Sequence, residues 1–152
     1  MESLIVTGGA NGLGRSIAES ASKAGYRVGI LDVNIGALEE AASSIENATP
    51  LVASVTSTDE VKAALQEFGQ TPDIWVNNAG IVRFAPLLEL SEDDWRAVID
   101  VNLTGTFICS TIVAEAMAIR GSGSIINITS INGISAGANS AHTVLRSQQF
   151  HS

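Results

Sequence analysis

Short apolar runs alternate along the chain with longer stretches whose apolar residues return every three or four positions. Leu4 to Val6, Arg27 to Leu31, Leu51 to Val55, Asp73 to Asn77 and Ser124 to Ile128 are the short runs, and they predict strands buried on both faces. Between them, Ser16 to Ala24 predicts a helix stopped by Gly25. Ala37, Leu38, Ala41, Ala42 and Ile45 mark a second helix, from Gly36 to Ile45. Ser57 or Thr58 caps a third, which runs to about Phe68 before Gly69 ends it. Ser91 with Asp94 resembles a capping box and opens a long helix through Trp95, Val98 and Ile99 towards Ile119, ended by Gly121-Ser-Gly123. No repeat, linker or low-complexity tract interrupts the series. Alternating β and α segments with uncharged strands predict an α/β fold built on a doubly wound parallel sheet.

Composition narrows the class. A chain of 152 residues is one domain with room for a real core. Its 45% apolar and 16% charged content describes a compact soluble protein. A net charge of -8 argues against nucleic acid or an anionic membrane surface as partner, while backbone amides can still supply a local phosphate site. The single cysteine, Cys109, excludes an intrachain disulfide and fits a reducing, cytoplasmic location. The N-terminus enters a strand directly, without the basic and apolar regions of a signal peptide, and no apolar run approaches the ~20 residues of a membrane span. No residue cluster suggests a metal site.

The polar residues collect where such a sheet binds ligands, at the carboxyl ends of its strands. Gly8 to Gly14 follow the first strand, Asp32 ends the second, Ser54 lies at the third, Asn77 to Gly80 follow the fourth, and Thr129 and Ser130 follow the fifth. A glycine-rich turn lets backbone approach a ligand, and the helix N-terminus behind it attracts negative charge, which together make a phosphate cradle. Asp32 lies 18 residues beyond Gly14, close to the ~20 at which an acid meets the adenosine ribose. Its carboxylate would accept from both ribose hydroxyls and repel a 2′-phosphate, so NAD is favoured over NADP. The plainer alternative is that Asp32 begins a turn with Asn34. Arg15 and Arg27 are the nearest cations, and neither adjoins Asp32 in sequence.

Thr7-Gly-x-x-x-Gly12-Leu-Gly14, Asn77-Asn-Ala-Gly80, Asn102 within Val101-Asn-Leu-Thr-Gly-Thr, and Ser124-Ile-Ile-Asn-Ile-Thr-Ser130 resemble the short-chain dehydrogenase/reductase family, in order, from about Leu4 to His142. The resemblance implies a Rossmann-type domain over residues 1–142 that binds NAD(P). It implies cofactor contacts at Gly8, Asn11, Gly12, Leu13, Gly14, Asp32, Asn78, Ala79 and Gly80. Ser54 stands where the family often has an acid that contacts adenine; with Val55 it remains an adenine neighbour, and affinity is what the change puts in question. The resemblance implies that Asn102 holds a water in a proton relay, against the alternative of a helix asparagine bonding its own backbone. It implies that Ser130 hydrogen-bonds the substrate carbonyl and its developing oxyanion, against a turn serine beside Gly133.

The pattern breaks at Thr143. Thirteen residues after Ser130 the family places the tyrosine of a Tyr-x-x-x-Lys pair, and this chain has Thr143 and Ser147 in those places. A threonine hydroxyl does not ionise usefully, and a serine supplies no charge to lower a neighbour's pKa. Losing the acid/base alone costs about 10²–10⁴ in rate, roughly 3–5.5 kcal/mol of barrier. Regrouping the codons one base earlier after His142 can restore both the tyrosine and the lysine, which makes residues 143–152 an aberrant, frameshifted tail; a genuinely divergent tail is the alternative. The family's fold continues with further strands, a helix and a substrate-covering loop. Lacking those last elements, the strand at Ile125 to Ile128 would be an open sheet edge, and the chain is expected to self-associate. The expected parent is a homo-oligomeric, NAD-dependent oxidoreductase acting on a small alcohol or carbonyl, with this chain catalytically impaired. A non-enzymatic dinucleotide-binding module and an inert fragment are the other readings.

Overall fold

The structure is a computed structural model that describes residues 1–86 and 88–130; Thr143, Ser147 and the rest of the tail lie outside the described residues. Its strands are β1 (Ser3–Thr7), β2 (Arg27–Asp32), β3 (Ala48–Val52), β4 (Ile74–Asn77) and β5 (Ser124–Asn127). They form one parallel sheet in the order β3-β2-β1-β4-β5. The helices are α1 (Gly12–Lys23), α2 (Ile35–Ser44), α3 (Thr58–Phe68), α4 (Glu92–Ile99) and α5 (Gly105–Arg120), with a π-helical turn at Asp100–Thr104 joining the last two.

The strands carry apolar side chains on both faces, as the sequence predicts. Ile5, Leu31, Leu51 and Trp75 face one core with Val61, Phe68, Val113 and Met117 of α3 and α5. Leu4, Val6, Val28, Ile30 and Val76 face the other with Ala18, Leu38 and Ala41 of α1 and α2. Winding reverses between β1 and β4, because the chain leaves β1 for β2 and β3 on one side and returns to β4 and β5 on the other. The loops after β1 and β4 therefore diverge, and a crevice opens between them.

Two boundaries beside the cleft differ from the sequence reading. Helix α1 begins inside the glycine run at Gly12, not at Ser16. Strand β3 ends at Val52, because its register pairs Ala48 to Val52 with Val28 to Asp32. It is an edge strand, which tolerates Pro50. Ser54 and Val55 consequently lie beyond the strand in the turn to α3, where the Ser57 N–H donates to the Ser54 carbonyl at 3.1 Å. Residues Glu92–Arg120 form one helical run of 29 residues, long and apolar enough to cross a bilayer by length and composition only. Val98, Cys109, Val113 and Met117 bury one side of it in the core. Burial pushes the Cys109 thiol up to about 12, so the group stays protonated and unreactive.

Strand β5 pairs with β4 on one side, and among the described residues its other edge has no strand partner. Ile126 is 45% exposed there.

A polar tie closes the opposite end of the sheet. Asp73 Oδ2 accepts from the Ser3 N–H at 2.8 Å and from Ser3 Oγ at 3.0 Å, and Arg120 Nη1 pairs with Oδ1 at 3.2 Å. Burial alone would raise the Asp73 carboxyl; the two Ser3 bonds, Arg120 and the N-terminal amine outweigh it and hold the group below its ordinary value of 3.8. A depressed folded pKa means stability that is present above the ordinary value and lost as pH falls through the folded one. Asp73→Asn is therefore expected to cost on the order of 1 kcal/mol at pH 7, allowing for partial exposure. It should also flatten the fall in stability below about pH 4. Denaturant titrations at a series of pH values check this; superimposable profiles for the two proteins would remove Asp73 from the account.

Candidate functional site

At the reversal point lies a cleft of about 460 Å³, within the size range of small-molecule sites. It is lined by Gly8, Asn11, Gly12, Leu31, Asp32, Val33, Ala53, Ser54, Val55, Asn78, Ala79, Gly80, Ile81 and Val101. Nine of these, Gly8, Asn11, Gly12, Asp32, Ser54, Val55, Asn78, Ala79 and Gly80, are residues expected from sequence to contact a cofactor.

One wall is the glycine turn and the start of α1. Gly8 has φ of +62°, and a Cβ there would come within 2.8 Å of the Ala79 Cα, so the turn needs glycine for conformation and for space. A Cβ at Gly14 would strike the Gly8 carbonyl oxygen and the Asn78 side chain. Gly14 thus serves the packing of α1 on the turn instead of lining the cleft, and Leu13 is exposed outside it. Helices α2, α3 and α4 are capped by Asn34, Ser57 and Ser91, whose side chains accept from Ala37 N–H, Glu60 N–H and Asp94 N–H. Helix α1 has no side-chain cap and no acid in its first turn. Its first-turn N–H groups and the positive end of its dipole are left for an anion at Asn11 and Gly12.

The facing wall is held to this turn by Thr7 and Asn78. Thr7 Oγ1 accepts from the Asn78 and Ala79 N–H groups at 3.0 and 2.9 Å. Asn78 Nδ2 donates to the carbonyls of Thr7 and Gly8 at 3.0 and 3.1 Å. The adjacent Asn77 points to the other face of the sheet, as strand alternation requires. It accepts from Trp75 Nε1 at 2.8 Å and donates to Ser110 Oγ and Asn127 Oδ1 at 2.9 and 2.8 Å. Consecutive asparagines thus have separate jobs. Asn78 joins the two ligand loops, and Asn77 satisfies a buried polar network that ties β4, β5 and α5 together.

Asp32 sits at the end of β2. Its Oδ2 accepts from the Ala10 N–H at 3.1 Å and its Oδ1 from the Asn34 N–H at 3.0 Å. The turn with Asn34 that the sequence left as an alternative is therefore present, and Asp32 lines the cleft as well. Each oxygen keeps acceptor capacity for a further donor. Beyond Asp32, Ser54 Oγ shares a 2.7 Å hydrogen bond with Thr56 Oγ1, and the Ser54 N–H donates to Glu60 Oε2 at 2.7 Å. Val55 is 7% exposed, and among the described residues its N–H meets no acceptor. A buried open donor on a cleft wall is where a ligand acceptor belongs.

Asn102 lies in the π-helical turn, not in regular α-helix. Its Oδ1 accepts from the Ile81 N–H and its Nδ2 donates to the Ile81 carbonyl, both at 2.8 Å. The alternative of an asparagine bonding its own helix backbone is excluded, because the side chain grips a loop 21 residues away. Ser130 is half-buried after β5 and does not line the cleft. Sequence reasoning did not single out Val33, Ala53, Val101 or Glu60. Val33 and Ala53 could have been found as neighbours of Asp32 and Ser54, whereas Val101 and Glu60 are brought there by helix packing and by a side chain's reach. Among the described residues no group of acids, histidines or cysteines could hold a metal ion.

A family model for short chain dehydrogenases matches residues 2–142. A 3-oxoacyl-[acyl-carrier-protein] reductase of Synechocystis is 39% identical over 139 residues, covering 86% of this chain and 56% of the relative. The crystal structure of a 3-oxoacyl-[acyl-carrier protein] reductase with bound NAD from Brucella melitensis superposes with a TM-score of 0.91 at 30% identity, over 97% of this chain and 61% of that one. NAD+-bound xylitol dehydrogenase superposes with a TM-score of 0.90 at 29% identity, over 97% and 60%. The chain spans a little over half the length of the curated relatives it matches.

Proposed function

The chain belongs to the short-chain dehydrogenase family, and we propose that its cleft holds NAD, in preference to NADP, as the cofactor half of an oxidoreductase site for a small alcohol or carbonyl. The observation that carries this is the meeting, in one cleft, of the uncapped start of α1, the Asp32 carboxylate and the open Val55 N–H. They lie in the order that pyrophosphate, ribose and base follow in a dinucleotide. On this reading the first-turn amides of α1 take the pyrophosphate, Asp32 takes the ribose hydroxyls, and Ser54 and Val55 take the adenine. Gly80 and Ile81 then flank the nicotinamide, which supplies hydride exchange when bound.

The preference for NAD rests on Asp32 and on the absence, among the described residues, of a cation at the ribose corner. Arg15 turns away to pair with Glu19 and Glu40 at 3.2 and 3.1 Å and to donate to Ser44. Arg27 stands at the start of β2, over the Phe68 ring at 4.3 Å, and Asp32 stands at the other end of that strand. Roughly 16 Å separates two residues five apart on a strand. Among the described residues no other cation is placed to neutralise a 2′-phosphate, and Asp32 repels it.

For the chemistry, Ser130 is the proposed partner of the substrate carbonyl, and Asn102 the proposed anchor of a relay water. After gripping Ile81, the Asn102 amide keeps one N–H and one lone pair, which is what remains to hold that water. Thr143 and Ser147 supply neither an ionisable acid/base nor a cation, so this chain is read as binding cofactor without useful turnover. The same reading includes a cytosolic location, no nucleic-acid or membrane partner, a homo-oligomeric parent, and self-association of this chain.

Titration followed by NADH fluorescence tests the proposal. Saturable NADH binding is expected, displaced by NAD+ at least about tenfold more effectively than by NADP+, with no NADH oxidation by small ketones. Absence of saturable binding, or equal displacement by NADP+, would overturn it.

A further inference from the structure

Five successive backbone amides lead from β3 towards α3, and all but one are occupied. The Ala53 N–H donates to the Asp32 carbonyl at 3.2 Å, the Ser54 N–H to Glu60 Oε2 at 2.7 Å, the Thr56 N–H to Ser54 Oγ at 3.3 Å, and the Ser57 N–H to the Ser54 carbonyl at 3.1 Å. The one left open among the described residues is Val55, on the cleft wall.

Glu60 is the unusual member of this set. It occupies the third position of α3, from which an acid commonly turns back to the N–H of the capping residue. Ser57 does cap the helix, accepting the Glu60 N–H at 3.3 Å. The Glu60 carboxylate, however, reaches three residues further, to the Ser54 N–H, at a length typical of a charge-assisted bond. The Ser54 carbonyl and the Val55 N–H belong to one trans peptide plane and point in opposite directions. The Ser57 bond holds that carbonyl towards α3, so the Val55 N–H is turned the other way. Glu60 fixes the preceding peptide. Between two anchored peptides, Ser54 has little freedom, and the direction of the open donor is set.

We propose that Glu60 is a positioning residue for base recognition: by holding the Ser54 N–H it aims the Val55 N–H at N1 of adenine. The inference rests on the reading of the cleft as a dinucleotide site. Hypoxanthine carries a hydrogen at N1 and cannot accept there, so the nicotinamide hypoxanthine dinucleotide is the discriminating probe.

The test compares the affinity of the full chain for NADH and for the reduced hypoxanthine dinucleotide, in wild type, Glu60→Ala and Glu60→Gln. Wild type should favour NADH by about tenfold, the worth of one buried hydrogen bond against an unpaired donor. Glu60→Ala should reduce the preference to within about twofold. Glu60→Gln, whose amide oxygen still accepts, should keep it. A lowered melting temperature with an unchanged preference in Glu60→Ala would make Glu60 a helix-terminus residue only and overturn the proposal. So would a wild type that binds both compounds equally. Failure of wild type to bind either compound would instead bring down the dinucleotide reading, and the proposal with it.

Discussion

Asp32→Ala is expected to weaken NADH binding by about 10- to 100-fold, the worth of one to two hydrogen bonds to a charged group. The loss should be selective. Removing the carboxylate also removes the charge that repels a 2′-phosphate, so NADPH affinity should hold steady or rise, and the preference between the two cofactors should narrow or invert. Part of the effect will come through the protein, because the Ala10 and Asn34 N–H groups lose their acceptor when the side chain goes. A thermal melt of the same variant separates that contribution, since loss of two partly exposed turn bonds lowers stability without favouring either cofactor. Parallel titrations with NADH and NADPH make the measurement. An unchanged NADH affinity would mean that Asp32 only shapes the turn with Asn34.

Gly14→Val should have the other large effect, through packing. The place its Cβ would take is filled by the Gly8 carbonyl oxygen and the Asn78 side chain. Helix α1 would have to move off the turn, and overpacking of this kind costs about 1–3 kcal/mol or more. The displaced Gly8 and Asn78 are the groups that join the two ligand loops, so cofactor affinity should fall by more than about 100-fold, as misplacement by an ångström does elsewhere. Gly12→Ala is the internal control. Gly12 has φ of +55° with open space around its Cβ position, so the cost there is a left-handed backbone, about 1–2 kcal/mol, and the fold should persist. Chemical denaturation and NADH titration of both variants decide the matter. A Gly14→Val protein that melts and binds like wild type would contradict the packing described for the turn.

The alternation of apolar runs made the sheet legible, because parallel strands buried on both faces cannot be mistaken for charged surface segments. The glycine turn and Asp32 were legible for a related reason, since the positions of a phosphate cradle and a ribose acid are fixed along one βαβ unit. Less visible was where β3 stops. Leu51 to Val55 is as apolar as any strand, and only pairing with Val28 to Asp32 ends the strand at Val52 and frees Ser54 and Val55 for the cleft wall. Asn102 is legible from its motif, but its grip on Ile81 depends on the π-helical turn, which no local pattern announces. The double asparagine motif likewise gave no hint that Asn77 and Asn78 serve opposite faces of the sheet. Glu60 was hidden most completely. Three residues after Ser57 it reads as an ordinary first-turn acid, and the length of its side chain carries it to a different loop.

The most direct test of the dinucleotide cleft is an amide-resolved NMR titration of the chain with NAD+. The account predicts shift changes concentrated at Gly8 to Gly14, Asp32 and Val33, Ala53 to Val55, and Asn78 to Ile81, with the Val55 N–H moving strongly downfield as it acquires an acceptor. Changes confined to other surfaces, such as the shallow groove between α3 and α5 at Leu65, Gly69 and Ala116, or no saturable change at all, would contradict it.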